Sequence, residues 1–586
     1  MRTRVIQSNL TRGELSPDLH SRVDNEIYFS GLSKAQNVVI MPHGGVRRRP
    51  GLTKTVDSKL SERGKLFSFE FSTDQDYLII LIPNKFRMYR DGELVKEISS
   101  KFTTWEQIEE VDGVQSGDVM ILTHGDVYPQ MLRREGDDTT WAVIDAPLSN
   151  IPQYDFGGGT EENVWSAERG WPYTCTFFQA RLYFGGSPQK PNSVWGSKIN
   201  SYYDFDVGTG QADYGIFDTL DTDQFNKITN IFPGRNLQVF TTGSEFYNVA
   251  EYITPELSVW KRSTGYGSAR IRPVMVDGAT LFIDRVKRTI RSSVYEFTED
   301  AFISPSISVL SEHLLTKVDS MAAVKGTNID ISDFIYVINQ DGTCAVLNTL
   351  RHQKTEGWTQ WTTQGSFRDV CEVNKIVYFL VERQGEFHIE YINEGTTLDH
   401  NTIELGTKRT QYNVVMFGEN VIHDGNNVIY TDNDTGTPVT VVNTGESPAI
   451  AALDHKVLLD HSVMADSLGG VIVLERPAYR AEVGLDVELV VRTMPLNQEM
   501  KDGQSFHKEK RIVRVELYLR DSLGVYAFKT YSPDRKFTVV FDEAPEPYTG
   551  RKEIRLLGYN HVTIIEIMQE NPLPFKMLSL GYEINQ

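Results

Sequence analysis

At 586 residues, 40% hydrophobic and 24% charged, the chain is too long for one ordinary core and too apolar to be disordered, so roughly two to four domains are expected. Its formal charge of -20 argues against a protein that grips nucleic acid by its phosphates, because such binding rests on Lys and Arg displacing counterions. The acid surplus leaves two readings, ordinary solubility or a negative wall along which DNA slides without sticking. Cys175, Cys344 and Cys371 are widely spaced and lack a CxxC pair, which predicts buried thiols rather than a redox or metal centre. Arg2 and Arg4 are followed by polar Gln7, Ser8 and Asn9, and the longest apolar run, Tyr77 to Ile82, is far shorter than the ~20 residues of a spanning helix. Neither a secretory signal nor a membrane span is therefore expected.

In chain order, residues 1–60 read as an anchoring arm. Its sharp bends fall at Met41-Pro-His-Gly-Gly45 and Arg49-Pro-Gly51, where Gly reaches positive φ and Pro pre-sets φ, and a short amphipathic stretch runs from Leu32 to Met41. From 61 to 400, short strands follow one another. Tyr77 to Ile82 suits a buried strand, and Phe387 to Tyr391 alternates with the period of two of a half-buried one. Arg181 to Phe184, Phe334 to Ile338 and Ile376 to Val381 add more, with turns at Arg90-Asp-Gly92, Gly185-Gly186 and Gln340-Asp-Gly342. Many short strands punctuated by glycine turns indicate a mainly β sandwich, barrel or propeller, although no strict repeat or WD signature is present.

Within this region Arg181, on a strand, is expected to meet a carboxylate, since a buried guanidinium needs acceptors. Trp171 and Trp195 read as core aromatics. After Pro305, Val309, Leu310, His313 and Leu314 would share one helix face, with His313 a packed residue rather than a ligand. Residues 401–478 are polar and turn-dense and read as an inserted small β module; Asp432 and Asp434 lack the spacing of a calcium loop. From 479 to 586 β signal returns. Val513, Val515, Leu517 and Leu519 alternate with polar residues, Asp521-Ser-Leu-Gly524 offers a hairpin turn into Val525 to Tyr531, and Phe537, Val539, Phe541, Val562, Ile564, Leu578 and Leu580 continue the pattern of a sandwich or platform.

Several segments, taken in order, are similar to one family. They are Gly13-Glu14-Leu15-Ser16-Pro17 through Asn37 to Arg48-Arg49-Pro50-Gly51, Val114 to His124 running to Arg134, Gly170 to Gly186, Ser193 to Ser197 with Tyr203 to Phe205, Gly265 to Gly267, Leu281 to Ile283 and Ser311 to Leu314. Near the end, Val483 to Leu485, Arg492-Thr493 and Pro572 to Phe575 resemble it too. Each motif is soft, but the order is fairly specific, and it resembles the tail nozzle, or tail tubular protein B, of short-tailed (podovirus) bacteriophages. The resemblance implies an irregular β-propeller-like core, a homohexameric ring below the portal and adaptor, and a virion protein assembled in the host cytoplasm. It further implies contacts with tail fibres or spikes, transient contact with phage DNA, and contact with the host envelope at ejection. No cofactor, catalytic group or metal is implied.

On this reading Arg47, Arg48 and Arg49 are candidates for docking the adaptor ring. Glu161, Glu162, Asp218, Asp221, Asp223, Glu299 and Asp300 are candidates for acidic channel loops that repel phosphate within a Debye length of ~8 to 10 Å. Each set also has a plainer reading, as pairing within the domain or as solvated outer turns. The alternatives are a polysaccharide-degrading enzyme, for which no acid-and-nucleophile setting or sialidase box is visible, and a receptor-binding protein using polar tips at 420–460.

Overall fold

A computed structural model describes residues 2–405 save 222–225, 327–331 and 354; only strand segments between 406 and 479; and 480–585 save 497–498, 501–502, 505–508, 528–529, 532–545, 557–562 and 570. Among the described residues the chain from 51 to 393 builds seven successive four-stranded antiparallel blades, the first six of them meanders. Blade 1 is Lys65–Ser72, Gln75–Ile82, Lys85–Arg90 and Glu93–Ser99; blade 2 runs from Asp112–Ser116 to Trp141–Asp145; blade 3 from Thr174–Phe178 to Ile216–Thr219. Blade 4 begins at Ile228–Pro233, blade 5 at Val274–Val276 and blade 6 at Val318–Val324. Blade 7 takes three strands from 366 to 393 and its fourth, Gly51–Leu60, from the N-terminal segment.

The first strand of each blade meets that of the next, and the circuit closes. Gln115 of blade 2 bonds to the Glu70 backbone of blade 1, Asp112 accepts from Thr174 and the Cys175 amide of blade 3, and Thr174 accepts from the Ile231 amide of blade 4. Asn230 donates to the Ala269 and Ile271 carbonyls before blade 5, and the Leu66 amide of blade 1 donates to Asp369 of blade 7 at 2.7 Å. Apolar side chains fill the space between faces. Tyr77, Ile79 and Leu81 point toward blade 2, while Leu78, Ile80 and Ile82 point toward blade 7, so one continuous apolar strand supplies two interfaces. The arrangement is propeller-like and mainly β.

The other two regions are joined to this ring through its own sheets. Beyond Thr355–Trp361, blade 6 continues into a 10-stranded sheet through Gly13–Glu14, Gly31–Gln36 and Leu489–Thr493. Blade 7 continues past Gly51–Leu60 into Asp399–Leu405 and Arg480–Leu485. Val38–Ile40 and Val46–Arg48 enter a C-terminal sheet with Lys576–Asn585 and Arg511–Ser522, and Arg2–Gln7 pairs along Lys576–Asn585. The N-terminal 60 residues thus contribute strands to three sheets.

Three local expectations change. After Pro305 there is no amphipathic helix: Val309–Leu314 is a 3-10 segment broken at Ser311, with Val309 60% exposed and only Ser311 and Leu314 buried. A short 3-10 turn eclipses side chains at three-residue spacing and cannot present the α-helical face. The turn at Asp521 to Gly524 does not make a hairpin, because Arg511–Ser522 pairs with Tyr548–Arg555 and Lys576–Asn585 while Tyr526–Ala527 joins Glu566–Gln569. Val515, Leu517 and Leu519 are buried as their alternation predicts, whereas a register shift at Ile512/Arg514 turns Ile512 inward and leaves Val513 half-buried. Phe537, Val539, Phe541, Val562, Asp432 and Asp434 lie outside the described residues.

Candidate functional site

The first strands of the blades surround a cavity of about 400 Å³ on the ring axis, lined from blades 1, 2, 5, 6 and 7 and by Asn230 of blade 4. Its wall carries Arg63, Lys65, Arg270, Arg272, Lys287 and Arg368 against Glu110, Asp112, Asp319, Asp369 and Glu372. Most of these charges brace neighbouring blades. Arg272 meets Asp112 at 2.8 Å and Arg270 meets Glu110 at 2.9 Å, tying blade 5 to blade 2 across the axis; Arg368 meets Glu382 at 2.7 Å. Burial alone would raise the Asp112 carboxyl, but Arg272, the Thr174 hydroxyl and the Cys175 amide hold it below the usual carboxylate range. Asp369 accepts from the Leu66 and Val370 amides, and burial outweighs these bonds to push it above the ordinary range.

At one mouth Arg63 lies over the Trp105 ring, 4.2 Å from its centroid, with Asp319 3.7 Å away, and the same carboxylate is 3.7 Å from Lys287. Lys65 donates to the Glu109 and Val111 carbonyls at 2.9 and 2.7 Å, and burial lowers its ammonium below the usual lysine range while Asp369 opposes the shift. No charged residue of this wall stood out in the sequence. The signal lies in their placement: all but Lys287 lie on or beside the first strand of a blade, as in Arg63 and Lys65, Arg270-Ile-Arg272, and Arg368-Asp369.

The sequence-derived candidates fall elsewhere. Arg48 and Arg49 are 5% and 2% exposed and act as internal struts rather than docking groups. Arg49 grips both oxygens of Asp399 at 2.8 and 2.6 Å, and Arg48 donates to Gln569 and to the Val487 carbonyl; burial pushes the Arg48 guanidinium down to about 10. Arg47, nearer the surface, meets Glu394 at 3.1 Å. None of the acidic candidates lines the axial cavity. Asp218, on the outermost strand of blade 3, accepts from Ser258 and from the Trp260 indole; Glu162 pairs with Arg169, and Glu161 is exposed. Glu299 and Asp300 occupy an exposed turn at the outer edge of blade 5, Asp221 is exposed, and Asp223 lies outside the described residues.

Arg181 is fully buried but, among the described residues, meets no carboxylate at bonding distance. Its guanidinium donates to the carbonyls of Ser197, Ala212 and Tyr214, a cage of backbone acceptors that serves the same need. Trp195 is fully buried against Trp165 and Phe217, and Trp171 packs edge-on to Tyr128. All three cysteines are free and buried, with thiols raised by burial. Among the described residues no cluster of His, Cys, Asp or Glu could hold a metal ion, and no helix is long and apolar enough to cross a membrane.

No family model and no curated protein matches the chain. Solved structures similar to it include the WD40 repeats of RRP9, at 8% identity and a TM-score of 0.37, covering 59% of this chain and 99% of that one. Another is the Cps50 (Swd1) β-propeller domain from Myceliophteria thermophila, at 7% identity and a TM-score of 0.36, covering 58% and 100%.

Proposed function

We propose that the chain is a structural subunit of the tail nozzle of a short-tailed bacteriophage, assembling as a homohexameric ring that conducts DNA and gates its release. The supporting observation is where the residues that carry the resemblance sit. Gly13, Asn37, Arg49 and Gly51 are architectural: a Cβ on Gly13, at φ +62°, would lie 2.2 Å from the Trp358 carbonyl oxygen, and one on Gly51 would lie 2.1 Å from that of Leu398. Asn37 accepts from Arg49 and from the Thr362 amide and donates to the Glu488 carbonyl. Residues so placed fuse the ring, the N-terminal segment and the C-terminal sheets into one block, as a subunit that bears load requires.

In this reading the charge of -20, repeated around a closed ring, repels the phosphates of passing DNA and keeps it from adhering. The adaptor ring, fibres or spikes, and the host envelope are its expected partners. Light scattering or negative-stain imaging of the purified chain tests the proposal. A six-fold ring with a central hole is the expected result, and a monomer at all concentrations and salt conditions would overturn it. Release of reducing ends from host polysaccharide would instead support the enzymatic alternative.

A further inference from the structure

Two neighbouring turns at the rim of the ring carry apolar side chains into solvent. The turn between Glu245–Asn248 and Trp260–Thr264 of blade 4 presents Val249, Tyr252, Leu257 and Val259, and the turn between Ile290–Glu296 and Ala301–Ile303 of blade 5 presents Phe297, 87% exposed. The tips are adjacent, because Tyr247, just before Val249, and Tyr295, just before Phe297, both pack on Phe302, at centroid distances of 4.8 and 5.5 Å. The longer tip is held in place. Its Val249 amide donates to the Val259 carbonyl at 2.9 Å, Asn248 donates to Ser258 at 3.1 Å, the Gln179 side chain bonds the Glu251 carbonyl and the Ile253 amide, and Asp218 accepts from Ser258 and Trp260 at the base. With Ile253 buried as an anchor, the backbone beneath the outward side chains is fixed, so docking on them orders little. Around them stand Glu251, Glu256, Glu296, Glu299 and Asp300, against Arg235 over the Tyr295 ring and Lys261 and Arg262 on the outermost strand of blade 4. An exposed apolar patch with a polar rim marks a contact site between proteins.

We infer that these tips dock on a second copy of the chain, with Phe297 inserted in the apolar pocket of about 70 Å³ beside the strand Arg2–Gln7. Val5, Ile6, Tyr28, Phe29, Met494 and Leu496 line that pocket, and Ile6 and Phe29 are themselves exposed, so it is open to an incoming side chain. The charges allow the approach. Arg4 shares the outer face of its strand with Ile6 and stays largely exposed, although it meets the nearly buried Glu583, while the Arg22–Asp24 pair and Glu26 stand near Phe29. The border is thus close to neutral, and on a chain of charge -20 such a surface does not repel the acidic tips. The tips stand on blades 4 and 5 and the pocket on the terminal strands joined to blades 6 and 7, so the contact is between unlike surfaces. Each copy then keeps one tip and one pocket for its neighbours, and the series closes into a ring when the rotation permits. The inference rests on the ring reading above and names its subunit contact.

Mass photometry of the full chain tests it, with Phe297→Asp as the tip variant and Ile6→Asp as the pocket variant, each first shown to keep the parent's thermal midpoint. The parent is expected to form a ring, and either variant alone should raise the concentration needed for assembly by more than about tenfold, the effect of spoiling a central apolar anchor. An equimolar mixture of the two variants should give dimers and nothing larger, because one intact tip meets one intact pocket and the remaining surfaces are both spoiled. Misfolded variants could not give that result. If the parent forms rings and both variants form them as readily, or if the mixture yields full rings, the inference is overturned while the ring reading stands. A parent that stays monomeric at every concentration and salt condition overturns both.

Discussion

Two charged regions of the ring handle burial in opposite ways. On the axis, ion pairs such as Arg63 with Asp319 and Arg270 with Glu110 border an open cavity and keep access to water. At the seam where Gly51–Leu60 closes blade 7 and meets Asp399–Leu405, the charges are dry. Arg383 and Glu390 are both 0% exposed and form two parallel bonds of 2.7 Å, and the His400 Nδ1 lies 2.8 Å from the same carboxylate. With Glu390 ionised, that nitrogen must donate, which fixes the His400 tautomer. The His388 ring stands edge-on to His400 with centroids 4.7 Å apart, near Ser58 and Glu386, and Arg49 grips Asp399 a few residues away. Wet pairs can be lost at little cost; dry ones leave a stranded charge when broken.

The largest test removes one half of the dry pair. Arg383→Met leaves Glu390 ionised and sealed and should cost about 3 to 5 kcal/mol, read from the denaturant midpoint. The double variant Arg383→Met, Glu390→Leu should recover most of that loss, since the penalty belongs to the unpaired charge. If the single variant is as stable as the parent, the seam is wetter than its burial indicates.

Acid comes next. Burial, aided by the nearby His400, depresses His388 from 6.5 to about 4, so the folded chain binds fewer protons there than the unfolded chain. Its contribution is intact above pH 6.5 and is lost as pH falls toward 4, roughly 3 kcal/mol across that window. Glu390 adds in the same direction: burial raises it, but Arg383 and His400 hold it well below the usual range, so protonating it at low pH also weakens the fold. His388→Gln should flatten stability between pH 6.5 and 4, and an unchanged slope would show that other groups carry the acid response.

The smallest effect is expected at the axis. Arg63→Met should cost about 1 kcal/mol or less, because its partner is distant, shared with Lys287 and partly solvated. A loss as large as that of Arg383→Met would erase the distinction between the two regions.

What could be read from the sequence divides along the same line. Tyr77 to Ile82, Phe334 to Ile338 and Phe387 to Tyr391 declare themselves as strands because apolar runs and two-residue alternation are local signals. The glycine turns at Gly92 and Gly342 adopt the positive φ their context demands. The pairings that make the ring are not local. Gly51–Leu60 meets Glu386–Asn393 across more than three hundred residues, and nothing in either segment names the other. The axial wall draws a few charged residues from each of several blades, so no window of sequence contains it. Arg48 and Arg49 mislead for the same reason: an arginine cluster reads as surface until distant acceptors, Asp399 and Gln569, are known.

The pairing of Arg2–Gln7 with Lys576–Asn585 has a consequence for biogenesis. A strand that leaves the ribosome early must wait for one made nearly six hundred residues later, and Gly51–Leu60 must wait more than three hundred for Glu386–Asn393. During that interval both are unpaired edges open to a neighbouring nascent chain, and folding dominated by such distant partners is slow. Synthesis on crowded polysomes should therefore favour strand exchange between copies, whereas dilute refolding of the finished polypeptide should not.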